Sequence, residues 1–123
     1  MAIDVDTERF EELVADALDS LPDDIAERLD NVWVKVEDWP SRAQLRGRRG
    51  TLLGLYEGVN LTRRGPVSYK GVMPDRITIF RGPHLRICRT EAQLATRVRT
   101  TVLHELGHHV GLSERRLREL GCA

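Results

Sequence analysis

An α+β fold is predicted for this chain of 123 residues by three features of its sequence. Apolar residues recur at helical spacing near the N-terminus, valines alternate with polar residues further on, and a long segment before the C-terminus is again helical in pattern. Its length suits one domain, residues 1–123. We therefore expect N-terminal helices, a small mixed sheet of three to four strands, a long helix and a short C-terminal helix.

The N-terminal layer is predicted to consist of two helices. Asp6 or Thr7 can cap the first. Pro22 suits the first turn of the second, which we place from Asp23 to Leu29. Apolar residues of the first helix repeat every three or four positions and so form one buried stripe: Phe10, Leu13, Val14, Ala17 and Leu18.

Three segments have the character of strands. Asn31 to Glu37 places alternate valines on one side, as expected for a strand that is buried on one face. Thr51 to Tyr56 and Arg76 to Arg81 are predicted as the second and third strands. The intervening segment, Glu57 to Asp75, contains several glycines and prolines and is predicted to form a long loop.

A long helix is predicted from Glu91 to Val110, because Thr90 and Gln93 form a capping-box pattern at its start. Gly111 is well placed to end this helix in a left-handed conformation. Ser113 can then cap a last short helix.

Composition argues against several classes of function. Lysine plus arginine and aspartate plus glutamate number 19 each, so no overall field attracts nucleic acid or an anionic membrane. No apolar run approaches the roughly 20 residues that a membrane helix needs.

The two cysteines, Cys88 and Cys122, are too few for a disulfide framework, and the N-terminus is acidic, so we expect a cytoplasmic protein with free thiols. The arginines of Arg42 to Arg49 are either a solvated surface or a face for an acidic partner.

The clearest chemical motif is His104-Glu105-Leu106-Gly107-His108, inside the predicted long helix. His104 and His108 are four residues apart, so both lie on one face, one turn from each other, where two imidazoles can bind one zinc ion. Glu105 lies beside this pair and can reach a water molecule at the metal without ligating the metal itself. The alternative is an amphipathic helix in which the histidines are coincidental.

A catalytic zinc site ordinarily has a third protein ligand and an open position. Glu114 is the best candidate, because a helix break at Gly111 would let the chain turn back toward the metal. His109, Cys122 and His84 are the alternatives.

The segment from Val102 to Glu114 resembles the HExxHxxGxx(D/E) signature of minimal zincin-like bacterial metallopeptidases, and the order of helices and strands is also similar. The resemblance implies a zincin-like domain in which His104, His108 and Glu114 bind zinc and Glu105 is the catalytic base. The metzincin signature is also similar, but it usually ends in histidine and is followed by a methionine-containing turn. By resemblance, the strand from Ile77 to Phe80 would be an edge strand that binds a peptide or protein substrate.

Hydrolysis of peptide bonds is the predicted reaction, with water activated at zinc and Glu105 as general base. Tyr56, Tyr69 and His84 are candidate donors to the oxyanion. One alternative is a zinc-binding interaction module without turnover. Another is a structural zinc that holds the C-terminal helices together, with Cys122 as a fourth ligand.

Overall fold

A layer of helices packs on one face of a sheet in the computed structural model, which describes residues 3–27, 32–58, 75–110 and 113–120. The long helix and the first helix supply the helical side of the shared core. In chain order the elements are α1 (Thr7–Asp19), α2 (Asp23–Ala26), β1 (Val32–Glu37), α3 (Arg42–Leu45), β2 (Gly54–Glu57), β3 (Asp75–Phe80), α4 (Arg81–Ile87), α5 (Glu91–Val110) and α6 (Glu114–Glu119).

The N-terminal helices form where the sequence predicts them. Asp6 caps α1, its carboxylate accepting a hydrogen bond from the Arg9 backbone N–H at 2.8 Å. The predicted stripe faces inward, and Phe10 is completely buried. The second helix is shorter than predicted, because α2 ends at Ala26, while Leu29 lies outside the described residues.

The sheet is mixed, as predicted, and has the order β1-β3-β2. β1 runs parallel to β3, with Val32 opposite Asp75, whereas β2 runs antiparallel to β3, with Gly54 opposite Ile79. The first strand ends at Glu37 as predicted, and its predicted first residue, Asn31, lies outside the described residues. The third strand begins and ends one residue earlier than predicted. The second strand begins at Gly54 and not at Thr51.

The prediction that Ile77 to Phe80 is an edge strand is wrong. These residues belong to β3, which is hydrogen-bonded to β1 on one side and to β2 on the other. A backbone that is paired on both sides has no free N–H and C=O row to offer a peptide. Within the described residues, β1 and β2 are the strands at the edges.

Two short helices were not indicated by the sequence patterns. α3 lies in the arginine-rich segment, and Ser41 and Gln44 form a capping box at its start. α4 follows β3 directly, so the turn of chain that carries His84 is helical. This places His84 against the core.

The core lies between the sheet and the two longer helices. Its completely buried members come from α1, β3 and α5: Phe10, Ile77, Ile79, Leu94, Val98, Val102, Leu103 and Leu106. Burying each such side chain contributes about 1.5–3 kcal/mol. Most of the predicted loop between the second and third strands, residues 59–74, lies outside the described residues.

Among the described residues, no helix has both the length and the apolar character needed to cross a membrane. The longest, α5, has 20 residues, but charged side chains occur along it at Glu91, Arg97, Arg99 and Glu105.

Candidate active site

The start of α5 is fixed by two polar side chains that accept hydrogen bonds from the backbone. Thr90 Oγ1 accepts from the Gln93 backbone N–H at 3.1 Å, and Gln93 Oε1 accepts from the Arg89 backbone N–H at 2.8 Å. Gln93 therefore bonds to Arg89, the residue before the N-cap, whereas in a standard capping box it would bond to Thr90. From this start, α5 continues to Val110 as predicted.

The buried row of α5 determines which way the motif residues face. Leu94, Val98, Val102 and Leu106 are each 0% exposed, and they lie at the spacing of one helix face. His104, outside this row, is exposed. Glu105, next to it, is 9% exposed and so lies at the boundary between the core and the surface.

His104 and Glu105 line one wall of a groove of about 440 Å³, which we call the active-site groove. The opposite wall is the chain segment that leads into β2. The lining residues are Thr51, Leu52, Leu53, Gly54, Arg97, Thr100, Thr101, His104 and Glu105. A groove of this volume is large enough for part of a peptide chain.

Gly54 brings the two walls together. A Cβ atom at this position would lie 2.8 Å from Thr101 Cγ2 and 3.1 Å from Glu105 Cγ. Since carbon atoms pack at about 3.5–4.0 Å, a side chain here would push β2 and α5 apart. The absence of a side chain at Gly54 therefore holds β2 directly beside Glu105.

The Glu105 carboxylate has no hydrogen-bond or ion-pair partner in the described part of the chain. Its oxygens are not sealed in the core, because they are absent from the fully buried polar atoms that lack a partner. The carboxylate is therefore open to the groove that Glu105 lines. This arrangement is typical of a group that meets its partner in a bound ligand.

The remaining predicted ligands are placed by their backbones alone. His108 lies within α5, one turn after His104, and Glu114 is the first residue of α6. The side chains of both, and that of His109, lie outside what the structure describes, as do Gly111 and Cys122. Among the side chains that are described, no three of His, Cys, Asp or Glu cluster in a way that could hold a metal ion.

Most of the chain is similar to one known protein family. The sequence model of the zincin-like metallopeptidase family matches residues 29–122, which include β1 to β3, α5 and the whole motif. The chain belongs to the zincin-like metallopeptidase family.

This zincin-like chain also resembles a solved structure of a "Conserved hypothetical protein" from "Thermo thermophilus". The two are 29% identical, the TM-score is 0.58, and the similarity covers 86% of this chain and 94% of the other. No curated protein matches the sequence. This similarity supports the fold.

His84 is excluded as a zinc ligand and as a donor to substrate. It is 0% exposed, its Nδ1 lies 2.7 Å from the Phe80 carbonyl oxygen, and its Nε2 lies 2.9 Å from Thr101 Oγ1. A carbonyl oxygen can only accept, so Nδ1 carries a proton and donates to Phe80. Burial lowers the pKa of His84 below its ordinary value of 6.5, which favours the neutral ring.

Tyr56, another candidate donor to the oxyanion, has its hydroxyl engaged elsewhere. Tyr56 Oη donates to Asp75 Oδ2 at 3.0 Å and so links β2 to β3. Tyr69, the third candidate, lies outside the described residues. The described part of the site therefore contains no tyrosine hydroxyl aimed at Glu105.

Sequence reasoning missed the wall of the groove opposite α5. Thr51 to Leu53 line the groove, although we predicted them only as the start of a strand. Gly54 carried a usable signal, because an isolated glycine within a strand pattern often marks a close approach of two backbones. Arg97, which also lines the groove, carried no comparable signal.

Proposed function

We propose that this chain is a zinc-dependent peptidase, in which a water molecule hydrolyses the peptide bond and Glu105 is the general base. The observation that carries the proposal is the position of Glu105. Its carboxylate is 9% exposed, has no partner among the described groups, and lines a groove beside His104. Family membership supports the same reaction class.

The donor types on α5 fit a zinc ion. His104 lines the groove and is exposed to it, and His108 follows one helical turn later in an unbroken helix. Neutral imidazole nitrogens are ordinary zinc ligands, and a carboxylate is a common third ligand at catalytic zinc sites. We therefore propose that His104, His108 and Glu114 bind a single zinc ion.

Zinc, when bound, would supply Lewis-acid catalysis by polarising the scissile carbonyl and lowering the pKa of water. Glu105 then has two tasks. Its carboxylate accepts a proton from the attacking water and later donates that proton to the leaving amine. The stem of Glu105 lies beside the backbone of Gly54, and this contact helps to position the carboxylate for both transfers.

A peptide substrate is proposed to lie in the active-site groove, between α5 and the segment Thr51 to Leu53. Within the described residues, β2 pairs with β3 on one side only, so its other side can bind a peptide as an added strand. This role replaces the one predicted for Ile77 to Phe80. Leu52 and Leu53 would supply apolar contacts to the substrate.

Zinc content measured together with peptide cleavage tests the proposal. Elemental analysis of the parent protein should give one zinc ion per chain, and a library of quenched peptides should be cleaved. The Glu114→Ala variant should lose zinc and cleavage together. Glu119→Ala, on the same short helix, is the matched control and should retain both, because Glu119 pairs at the surface with Arg115 and Arg116.

Other outcomes point to the competing functions. Stoichiometric zinc with no cleavage of any peptide would overturn the peptidase and favour an interaction module. Unfolding on chelation of the metal, before any loss of activity, would favour a structural zinc. Zinc that is unaffected by Glu114→Ala would show that another residue, such as His109 or Cys122, is the third ligand.

A further inference from the structure

A second open groove, of about 660 Å³, continues from the active-site groove along α5. It lies between Ile87 to Arg89 and the first half of α5, and we call it the distal groove. The two grooves share Arg97 and Thr100, so they meet at these residues. A peptide that occupies the active-site groove can therefore extend into the distal groove past Arg97.

Arg97 lies on the same face of α5 as the zinc-binding motif. Seven residues, or about two turns, separate it from His104, which corresponds to about 10.5 Å along the helix at about 1.5 Å per residue. An extended peptide advances about 3.3 Å per residue. The guanidinium is thus about three substrate residues away from the bond that would be cleaved at His104 and Glu105.

The charges along the joined grooves are unbalanced. Arg89 and Arg97 line them, and Glu105 is the one acidic residue among the described lining side chains of both. In the described part of the chain, no carboxylate forms an ion pair with either arginine. By contrast, Arg9 pairs with Glu91 at the start of the same helix, and its Nε donates to Glu91 at 2.7 Å. Arg97 is therefore a positive charge without a negative counterpart among the described residues.

The Arg97 charge also acts on groups beneath the groove. Burial lowers the pKa of His84, and the Arg97 charge lowers it further. Burial raises the pKa of Cys88, and the Arg97 charge opposes that rise. Cys88 also lines the distal groove, and Arg97 lines both grooves where they meet.

We propose that Arg97 selects substrates by binding a peptide carboxylate about three residues from the cleaved bond. This inference rests on the proposed peptidase function. The carboxylate belongs either to an aspartate or glutamate side chain or to the free C-terminus of the peptide. Arginine suits both, because its planar guanidinium forms paired hydrogen bonds with a carboxylate.

Two measurements on one peptide set test the inference. The set contains a neutral amidated peptide, the same peptide with glutamate at the third position on either side of the cleaved bond, and a neutral peptide that ends in a free carboxylate at that distance. Cleavage gives kcat and KM for the parent and for Arg97→Gln. Fluorescence anisotropy gives Kd for the Glu105→Gln protein with and without Arg97→Gln. Arg42→Gln is the matched control, since Arg42 is exposed on α3 and lines neither groove.

We expect the parent to prefer one of the carboxylate peptides by about tenfold in kcat/KM, as a charge-assisted contact provides. Arg97→Gln should remove this preference through KM with little change in kcat, because the contact is remote from the reacting bond. The anisotropy Kd should change in parallel, and Arg42→Gln should change neither quantity. A preference for the glutamate peptide identifies a side-chain carboxylate, and a preference for the free C-terminus identifies a terminal one.

Failure of this inference differs from failure of the peptidase proposal. If the parent cleaves all of the peptides equally well, or if Arg97→Gln keeps the preference, the role of Arg97 is overturned and the peptidase remains. If no peptide is cleaved but Glu105→Gln protein binds carboxylate peptides through Arg97, the peptidase is overturned and the carboxylate site remains. Neither cleavage nor selective binding would overturn both.

Discussion

His84 and Glu105 are both polar, both buried and both close to Thr101, yet their surroundings are opposite. The two ring nitrogens of His84 are each within hydrogen-bonding distance of an oxygen, from Phe80 and from Thr101. Glu105 follows Thr101 by one turn of α5, and its carboxylate has no partner among the described groups. His84 also packs against Phe10, with ring centroids 5.5 Å apart, so it links α1, α4, β3 and α5.

The presence or absence of internal hydrogen bonds distinguishes the structural role of His84 from the functional role proposed for Glu105. Burial of a polar group costs free energy, and His84 offsets that cost with hydrogen bonds inside the protein. Glu105 makes no such hydrogen bonds among the described groups and lines the active-site groove instead, and we propose that its role there is catalysis. Changes at His84 should act on stability, whereas changes at Glu105 should act on the reaction.

The largest expected effect is on the rate of Glu105→Gln. Removing a general base lowers kcat/KM by about 10²–10⁴-fold, while an amide of similar shape leaves the fold intact. Steady-state assays with a quenched peptide measure the rate, and urea denaturation measures the stability. Glu91→Gln, at the exposed start of the same helix, should keep the parent rate. An active Glu105→Gln protein would contradict the assignment of the base.

His84→Ala should lower the free energy of unfolding by about 2–4 kcal/mol, because it leaves a cavity and removes two buried hydrogen bonds. The urea midpoint reports this loss. Activity per folded molecule should be retained when assayed well below the midpoint. A variant with parental stability but no activity would show that His84 takes part in the reaction. His84 would then not be a structural residue in contrast to Glu105.

Gly54→Ala should cost about 1–3 kcal/mol through overpacking and should also lower activity, since the added carbon displaces Glu105. Thr101→Ser removes the Cγ2 atom that lies 2.8 Å from that added carbon. The double variant should therefore recover part of the stability, as a double-mutant cycle would measure. Strict additivity of the two changes would argue against the close approach of β2 and α5.

Acidification should lower the free energy of unfolding, because the buried ring of His84 stays neutral in the folded protein. Its pKa is lowered in the folded protein by burial, so below about pH 6.5 the unfolded chain binds a proton that the folded chain does not. Stability that is complete above pH 6.5 should fall by up to about 1.4 kcal/mol per pH unit as the pH drops. His84→Gln should lack this component, which the difference between two denaturation series at pH 5 to 8 would show.

The smallest expected effect is at Thr78. This side chain is 0% exposed, and its Oγ1 has no hydrogen-bond partner among the described groups. Unlike His84, it gains nothing from being polar. Thr78→Val, which keeps the shape and removes the hydroxyl, should raise the free energy of unfolding by about 1 kcal/mol. A loss of stability in urea would indicate that the hydroxyl has a partner after all.

Much of the fold could be predicted because the signals are local. The apolar stripe of α1, the alternating valines of β1 and the caps at Asp6 and Ser113 each act over a few residues. The order of the strands is not local. Alternation shows which side of a strand is buried, but it does not show which strand lies next to it, so the central position of β3 was missed.

The part of the site that lies on α5 was also predictable from local signals. Helical spacing places His104 and Glu105 on α5, and the structure shows that both line a groove. The role of His84 could not be predicted from sequence. Gly82 and Pro83 are poor helix formers, so the start of α4 was not recognised, and the sequence near a histidine does not show its hydrogen-bond partners. Nothing in the sequence around Arg97 indicates that two grooves meet beside it.

The strand order also determines when the sheet can form during synthesis. β1 and β2 each pair with β3, which is the last of the three described strands to leave the ribosome. A nascent chain that ends before Asp75 thus has no partner for either strand, and its valines and leucines stay exposed. Because Val32 must find Asp75 across 43 residues, we expect the pairing of β1 with β3 to be slow compared with that of a hairpin.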